Sequence, residues 1–144
     1  MEQKITILYA DDDAEDLILF KEITDKLDFV DVHLYPNGQQ LLDAAQHVTD
    51  CQRLIFLDLN MPVKNGFDVL QELKRQPQCA GIPTIILSTS SDSRNISQSM
   101  ALGASMYITK PTAFKTLQQS IEFAIFNDWK TFIPSAKNFV LHLA

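Results

Sequence analysis

The chain has 144 residues, a formal net charge of -6 and two cysteines, with a pI near 4.9. That length suits one ordinary domain whose core needs no disulfide or metal staple. The acidity excludes a phosphate-backbone binder, which requires clustered Lys and Arg. Cys51 and Cys79 lack CxxC spacing and read as free thiols. No apolar run reaches signal-peptide or transmembrane length, so the expectation is a soluble, cytoplasmic protein with neither nucleic acid nor membrane as partner.

Residues 5–10 form an apolar first strand that stops at Asp11-Asp12-Asp13. A helix is predicted over 14–26, because Leu17, Phe20, Ile23 and Leu27 recur at intervals of three and four, with Asp13 as N-cap. Val30, Val32 and Leu34 then alternate with Asp31, His33 and Tyr35, the period of an edge strand with one wet side. Pro36-Asn37-Gly38 turns the chain into a helix over 39–47 that faces Leu41, Leu42 and Ala45 inward. The next run, Leu54-Ile55-Phe56-Leu57, reads as a strand buried on both faces, with Asp58 at its carboxyl end. Pro62 and Asn65-Gly66 mark a turn, after which Phe67, Val69, Leu70 and Leu73 fall at helical spacing.

Pro77 and a loop over 78–82 are expected to end that helix, and 83–88 supplies a fourth buried strand with a hydroxyl-rich end, Ser88-Thr89-Ser90-Ser91. A fourth helix over 93–102 has a thin apolar stripe of Ile96, Met100 and Leu102, which predicts the least firmly anchored helix. Gly103 caps it, a fifth strand over 105–109 follows, and Lys110-Pro111 closes the strand. The fifth helix spans 112–128 with Leu117, Ile121, Ala124 and Ile125 inward, while Phe114, Phe123 and Phe126 fall partly outside that stripe. The tail over 129–144 is too apolar to float free and too short for a module, so it is expected to pack back or dock elsewhere. Five alternations of strand and helix imply right-handed crossovers and one α/β domain, a parallel sheet covered on both faces.

In such a sheet all carboxyl ends lie on one rim, which gathers Asp11, Asp12, Asp58, Ser88 and Lys110. Carboxylates about 5 Å apart repel by roughly 3 kcal/mol per pair at an effective dielectric near 20. Lys110 offsets part of this. A hard divalent cation with oxygen ligands offsets the rest, and Mg2+ suits a few carboxylates, waters and phosphate oxygens.

On these residues the chain resembles the receiver domain of two-component response regulators over roughly residues 4–128. The resemblance rests on Asp11-Asp12 after the first strand, Asp58 before Asn60-Met61-Pro62 and Gly66, Ser88 at the fourth strand, and Gly103-Ala104, Tyr107 and Lys110-Pro111. The overall look is that of stand-alone, chemotaxis-like receivers. It implies a flavodoxin-like doubly wound sheet of five parallel strands in the order 2-1-3-4-5, with residues 1–128 as receiver and 129–144 as an extension without a separate output domain. It implies that Asp58 accepts a phosphoryl group from a histidine kinase or phosphotransfer protein. Asp11, Asp12, Asp58 and the backbone carbonyl of Asn60 would arrange Mg2+, with Asp12 and Asp58 favoured as direct carboxylate ligands. Lys110 and the Ser88 hydroxyl would hold phosphoryl oxygens.

The resemblance further implies a switch in which Ser88 moves toward the phosphate and Tyr107 fills the vacated space from an outward position. The face made by the fourth helix, fifth strand and fifth helix would carry the signal to a downstream protein. Asn60 and Ser90 stand where the family tunes dephosphorylation, and Lys110-Pro111 where it has a cis peptide. The region of Phe114, Phe123 and Phe126 and the tail are the expected places for partner contacts or self-association.

Three rivals follow from the same residues. A Mg2+-dependent phosphohydrolase that forms an aspartyl-phosphate resembles the haloacid dehalogenase type, which has a second Asp two residues after the nucleophile, where this chain has Asn60. A flavin or nucleotide carrier needs a Gly- or Ser/Thr-rich first loop, and here that loop is acidic. A receiver-like adaptor that is never phosphorylated would not need the intact set of site residues.

Overall fold

A computed structural model of the chain describes residues 4–47, 49 and 51–143. Residues 1–3 of the expected receiver and Ala144 of the expected extension lie outside them. The strands β1 (Ile5–Ala10), β2 (Val30–Tyr35), β3 (Gln52–Leu57), β4 (Thr84–Ser88) and β5 (Met106–Thr109) form one parallel sheet in the order β2-β1-β3-β4-β5. This is the doubly wound, flavodoxin-like order. It reverses direction at β1, between β2 and β3, which opens a crevice at the carboxyl ends of β1 and β3.

The apolar runs of β1, β3 and β4 explain their central places, since both faces of each must be covered. On one face, α2 (Gly38–Ala45), α3 (Gly66–Arg75) and α5 (Ser93–Ala101) cover Leu8, Ile55, Leu57 and Ile86. On the other, α1 (Ala14–Thr24) and α6 (Phe114–Phe126) cover Ile7, Tyr9, Phe56 and Leu87. Caps fix where the helices start: Asp13 accepts from the amides of Glu15 and Asp16, and Asn65 and Asp68 form a reciprocal capping box. In α5 only Ser99 is fully buried, consistent with its thin stripe. Gly103 takes a φ of +100° at the turn into β5, which suits a residue without a Cβ.

Several boundaries differ from the sequence expectations. Residues 77–80 form a one-turn helix, α4 (Pro77–Ala80), instead of a loop, because Pro77 occupies the first helical position, where no amide donor is needed. The last helix begins at Phe114 after Ala113, which offers no side-chain cap. The first ends at Thr24, with Leu27 beyond it.

The tail packs back on its own sheet. Trp129 donates its indole N–H to the Ala124 carbonyl at 2.8 Å, and a turn at 135–139 returns the chain to β5. There the Tyr107 amide donates to the Phe139 carbonyl at 2.8 Å and the Leu141 amide to the Tyr107 carbonyl at 2.9 Å, a parallel bridge with Val140 opposite Tyr107. Phe139 and Val140 join the apolar cluster on the α2, α3 and α5 side, while Trp129, Phe132 and Leu141 join the α1 and α6 side. The β5 edge is therefore covered.

Candidate functional site

β1 and β3 run side by side in register, with Ala10 opposite Leu57, so the next residues, Asp11 and Asp58, emerge together at the rim. The Asp58 amide donates to the Ala10 carbonyl at 3.1 Å and extends that pairing by one residue. Asp11 and Asp58 are buried, Asp12 is exposed, and one carboxylate oxygen from each lies within 4.8 Å of the others. Gly66 is required behind this site. A Cβ there would stand 2.4 Å from the Asp58 carbonyl oxygen and 2.8 Å from the Leu59 Cα, so only glycine lets α3 start so close to the acceptor loop.

Lys110, carried by the end of β5, crosses the rim. Its Nζ donates to Asp11 Oδ2 and to Asp16 Oδ2, both at 2.7 Å, and lies 4.0 Å from Asp58 Oδ1. Burial pulls the ammonium down, but the bonds to Asp11 and Asp16 outweigh it and hold Lys110 above its ordinary value. Tyr9, one turn of the pleat below, donates its hydroxyl to Asp11 Oδ2. Burial and then the Asp11 charge keep that phenol protonated. Asp11 is thus satisfied three times over, by Tyr9, Lys110 and the Asp13 amide.

Asp58 is not so well supplied. Burial, then Asp11, push its carboxyl from 3.8 up to about 7, against the opposing pull of Lys110 and a backbone bond from Asn60. A carboxylate next to a second carboxylate, short of cations, in a cluster with a third is the donor set of a hard divalent ion. The residues present therefore fit Mg2+ or a similar cation through Asp11, Asp12 and Asp58. Such an ion would supply the positive charge that Lys110, turned to Asp11 and Asp16, leaves lacking at Asp58.

Ser88 ends β4 and is fully buried. Its hydroxyl accepts from the Ser90 amide at 3.2 Å, and its carbonyl accepts from the Lys110 amide at 2.7 Å. The Ser90 hydroxyl in turn accepts from the Asp92 amide at 3.2 Å and from the Asn95 side chain at 2.9 Å. Asn60 is exposed beside Asp58. The structure thus brings Asp11, Asp12, Asp58 and Lys110 to one place, with Ser88 at the adjacent strand end.

Two expectations are corrected. Tyr107 does not point outward: it is fully buried, with its hydroxyl donating to the Ser90 carbonyl at 2.7 Å and its ring 6.4 Å from that of Phe139. Phe139 packs against the inward ring, and the hydroxyl finds an acceptor that makes burial tolerable. The Lys110-Pro111 peptide is trans, and no cis peptide occurs among the described residues.

Asp16 is the residue that sequence reasoning missed. It sits in the first turn of α1, where its acidity reads as complementing the helix dipole and its place reads as part of the wet face. The available signal was its position three residues after the capping Asp13, which aims it back over the rim. Val63, at φ +67° and fully exposed, was also unmarked: a β-branched residue there is strained, and it lies in the loop between Asp58 and α3.

Comparison with known proteins agrees with this geometry. Residues 7–122 match the family described as "Response regulator receiver domain". The transcriptional regulatory protein CiaR of Streptococcus pneumoniae is 37% identical over 122 residues, covering 82% of this chain and 50% of that protein. The crystal structure of the phosphorylated cyanobacterial phytochrome response regulator RcpA superposes with a TM-score of 0.76 at 28% identity, over 92% of this chain and 98% of that one. The Mn2+-bound form of the response regulator Rcp1 gives 0.73 at 27% identity, over 90% and 96%. The chain spans about half or less of the length of the curated relatives it matches.

Proposed function

We propose that this chain, which belongs to the response regulator receiver domain family of two-component signalling, accepts a phosphoryl group on Asp58 from a histidine kinase or phosphotransfer protein in the presence of Mg2+. The observation that carries this reading is the Asp58 carboxylate itself: buried at a strand end, beside Asp11 and Asp12, and 4.0 Å from the Lys110 ammonium. A phosphorylated relative and a Mn2+-bound relative of the same fold support it.

In the proposed transfer an Asp58 carboxylate oxygen attacks phosphorus while the bond from phosphorus to the donor's imidazole nitrogen breaks, and the imidazole departs with that electron pair. Catalysis of this step is positioning and charge neutralisation, so no general base is needed. Mg2+ held by Asp11, Asp12, Asp58 and the Asn60 carbonyl would neutralise charge on the phosphoryl oxygens. Lys110 gives up one of its two carboxylate partners to reach a phosphoryl oxygen, and the half-buried Asp16 is a weaker hold than the fully buried Asp11. The Ser88 hydroxyl releases the Ser90 amide to bond another oxygen. Asn60 and Ser90, polar and uncharged, set how readily water reaches the phosphoryl group.

The signal then passes through Ser88 and the loop to Ser90 into the face of α5, β5 and α6, and from there to a downstream protein or a second copy. Residues 1–128 act as the receiver and 129–144 as its extension. The hydrolase rival lacks its second carboxylate, since Asn60 stands at that place. Mass spectrometry after acetyl phosphate with Mg2+ is expected to show one phosphoryl adduct on the wild-type chain and none on Asp58→Asn. An equal adduct on Asp58→Asn would overturn the assignment. Asp12→Ala is expected to abolish the rise in melting temperature that Mg2+ gives.

A further inference from the structure

The tail and the acceptor site are joined by an unbroken line of contacts. Phe139, 1% exposed, packs its ring against Tyr107, and the backbone of residues 139–141 closes both of the free hydrogen-bonding groups of Tyr107 on the β5 edge. The Tyr107 hydroxyl holds the Ser90 carbonyl, the Ser90 amide holds the Ser88 hydroxyl, and the Ser88 carbonyl holds the Lys110 amide. The approach to β5 is itself built: Asn138 accepts from the Ser135 amide at 2.7 Å and donates to the Ile133 carbonyl at 3.0 Å, and the Phe139 amide donates to the Ser135 carbonyl at 3.0 Å. A segment resting on the surface by chance needs none of this.

We propose that the β5 edge is a docking strip for an extended apolar segment, filled by the chain's own residues 139–141, and that docking there and loading of Asp58 favour each other through Tyr107. The inference rests on the reading of Asp58 as phosphoacceptor. With the segment in place, Tyr107 is held inward and its hydroxyl fixes Ser90. The loop is then in place for Ser88 to turn to a phosphoryl oxygen. With the segment gone, Tyr107 loses a packed ring and two backbone bonds, its inward position loses its support, and the loop loses its anchor. Linkage makes the effect reciprocal: whatever the segment does to loading, loading does to the segment. A partner that displaces residues 139–141 without laying a segment of its own along β5 thereby weakens loading.

The test uses the full chain with beryllofluoride and Mg2+ as the phosphoryl mimic. In the wild type, saturation is expected to slow amide hydrogen exchange at Tyr107 and Leu141 by about fivefold or more, and Phe139→Ala is expected to weaken beryllofluoride affinity by a similar factor. Leu141→Pro removes the edge donor to the Tyr107 carbonyl, together with the partly buried Leu141 side chain, while leaving the Phe139 ring in place, and is expected to weaken affinity in the same direction, so the proposal does not depend on Phe139→Ala folding. Because loading slows all exchange that proceeds through global unfolding, the slowing is read in excess of that at the β3 core amide of Leu54, and a role confined to stability would leave no such excess. Unchanged or faster exchange on loading, or variants that bind as tightly as the wild type, would overturn the coupling. Failure of the wild type itself to bind beryllofluoride would instead remove the acceptor reading, and the coupling with it, so the two failures are told apart in one titration.

Discussion

The acidic rim and the β5 edge both bury groups that water would otherwise hold, and they do so for opposite reasons. At the rim, Asp11 and Asp58 are buried side by side, with one ammonium shared among three carboxylates. That arrangement opposes folding, and in the proposed function a bound cation would offset it. At the edge, Phe139, Val140 and Leu141 bury apolar surface and close open backbone bonds, which favours folding outright. The difference teaches where to look for each kind of residue. Substitutions at the rim should trade function for stability, whereas substitutions at the edge should lose stability and, if the tail is coupled to loading, function as well.

The largest effect expected is loss of phosphoryl acceptance in Asp58→Asn together with a higher melting temperature in metal-free buffer, because the amide removes a buried charge beside Asp11. A melting temperature that fell would break the contrast. Next comes Phe139→Ala, expected to destabilise by about 3 kcal/mol, the low end for a buried aromatic because the tail can relax. Chemical denaturation measures it. A cost below about 1 kcal/mol would mean that the edge is merely covered and not held.

How far the sequence spoke differs in the same way. The rim was legible because parallel strands put their ends together by geometry, so five distant residues could be placed without coordinates. Asp16 escaped, since one acidic residue in a first helical turn has an ordinary explanation in the dipole. The two sheet edges show why the tail's role was hidden. β2 alternates wet and dry residues and reads correctly as an open edge, while Met106, Tyr107 and Ile108 of β5 are all buried. An edge strand without a wet face needs a cover, and the apolar tail was the only unassigned segment. Periodicity reports that a residue is buried but not by what, so Phe139 could not be matched to Tyr107 and the inward ring was missed.

A smaller effect follows from the titration of Asp58 in chelated, metal-free buffer. Its folded-state value near 7 lies above the ordinary 3.8 because burial and then Asp11 disfavour the ionised form. Between about pH 4 and 7 the folded chain therefore keeps a proton that the unfolded chain has released, so stability falls as pH rises through that window and levels off above it. Asp58→Asn should flatten this slope when melting temperatures of the two proteins are compared across the range. A slope that persists unchanged in the variant would place the penalty elsewhere in the rim.

The smallest effect tests whether the rim's opposition to folding extends into its backbone. Val63 holds φ +67° in full solvent, so its side chain gains nothing from burial and its backbone bears the left-handed strain alone. Relief of that strain by glycine is worth about 1–2 kcal/mol, and the added freedom of the unfolded chain takes back about 0.4–1 kcal/mol. Val63→Gly is therefore expected to stabilise by about 0–1.6 kcal/mol in equilibrium denaturation. Phosphoryl acceptance should be unaffected if the strain is incidental. If stability rises but labelling by acetyl phosphate slows, the strained loop is holding Asn60 in place beside Asp58, and the contrast with the edge sharpens from side chains to backbone.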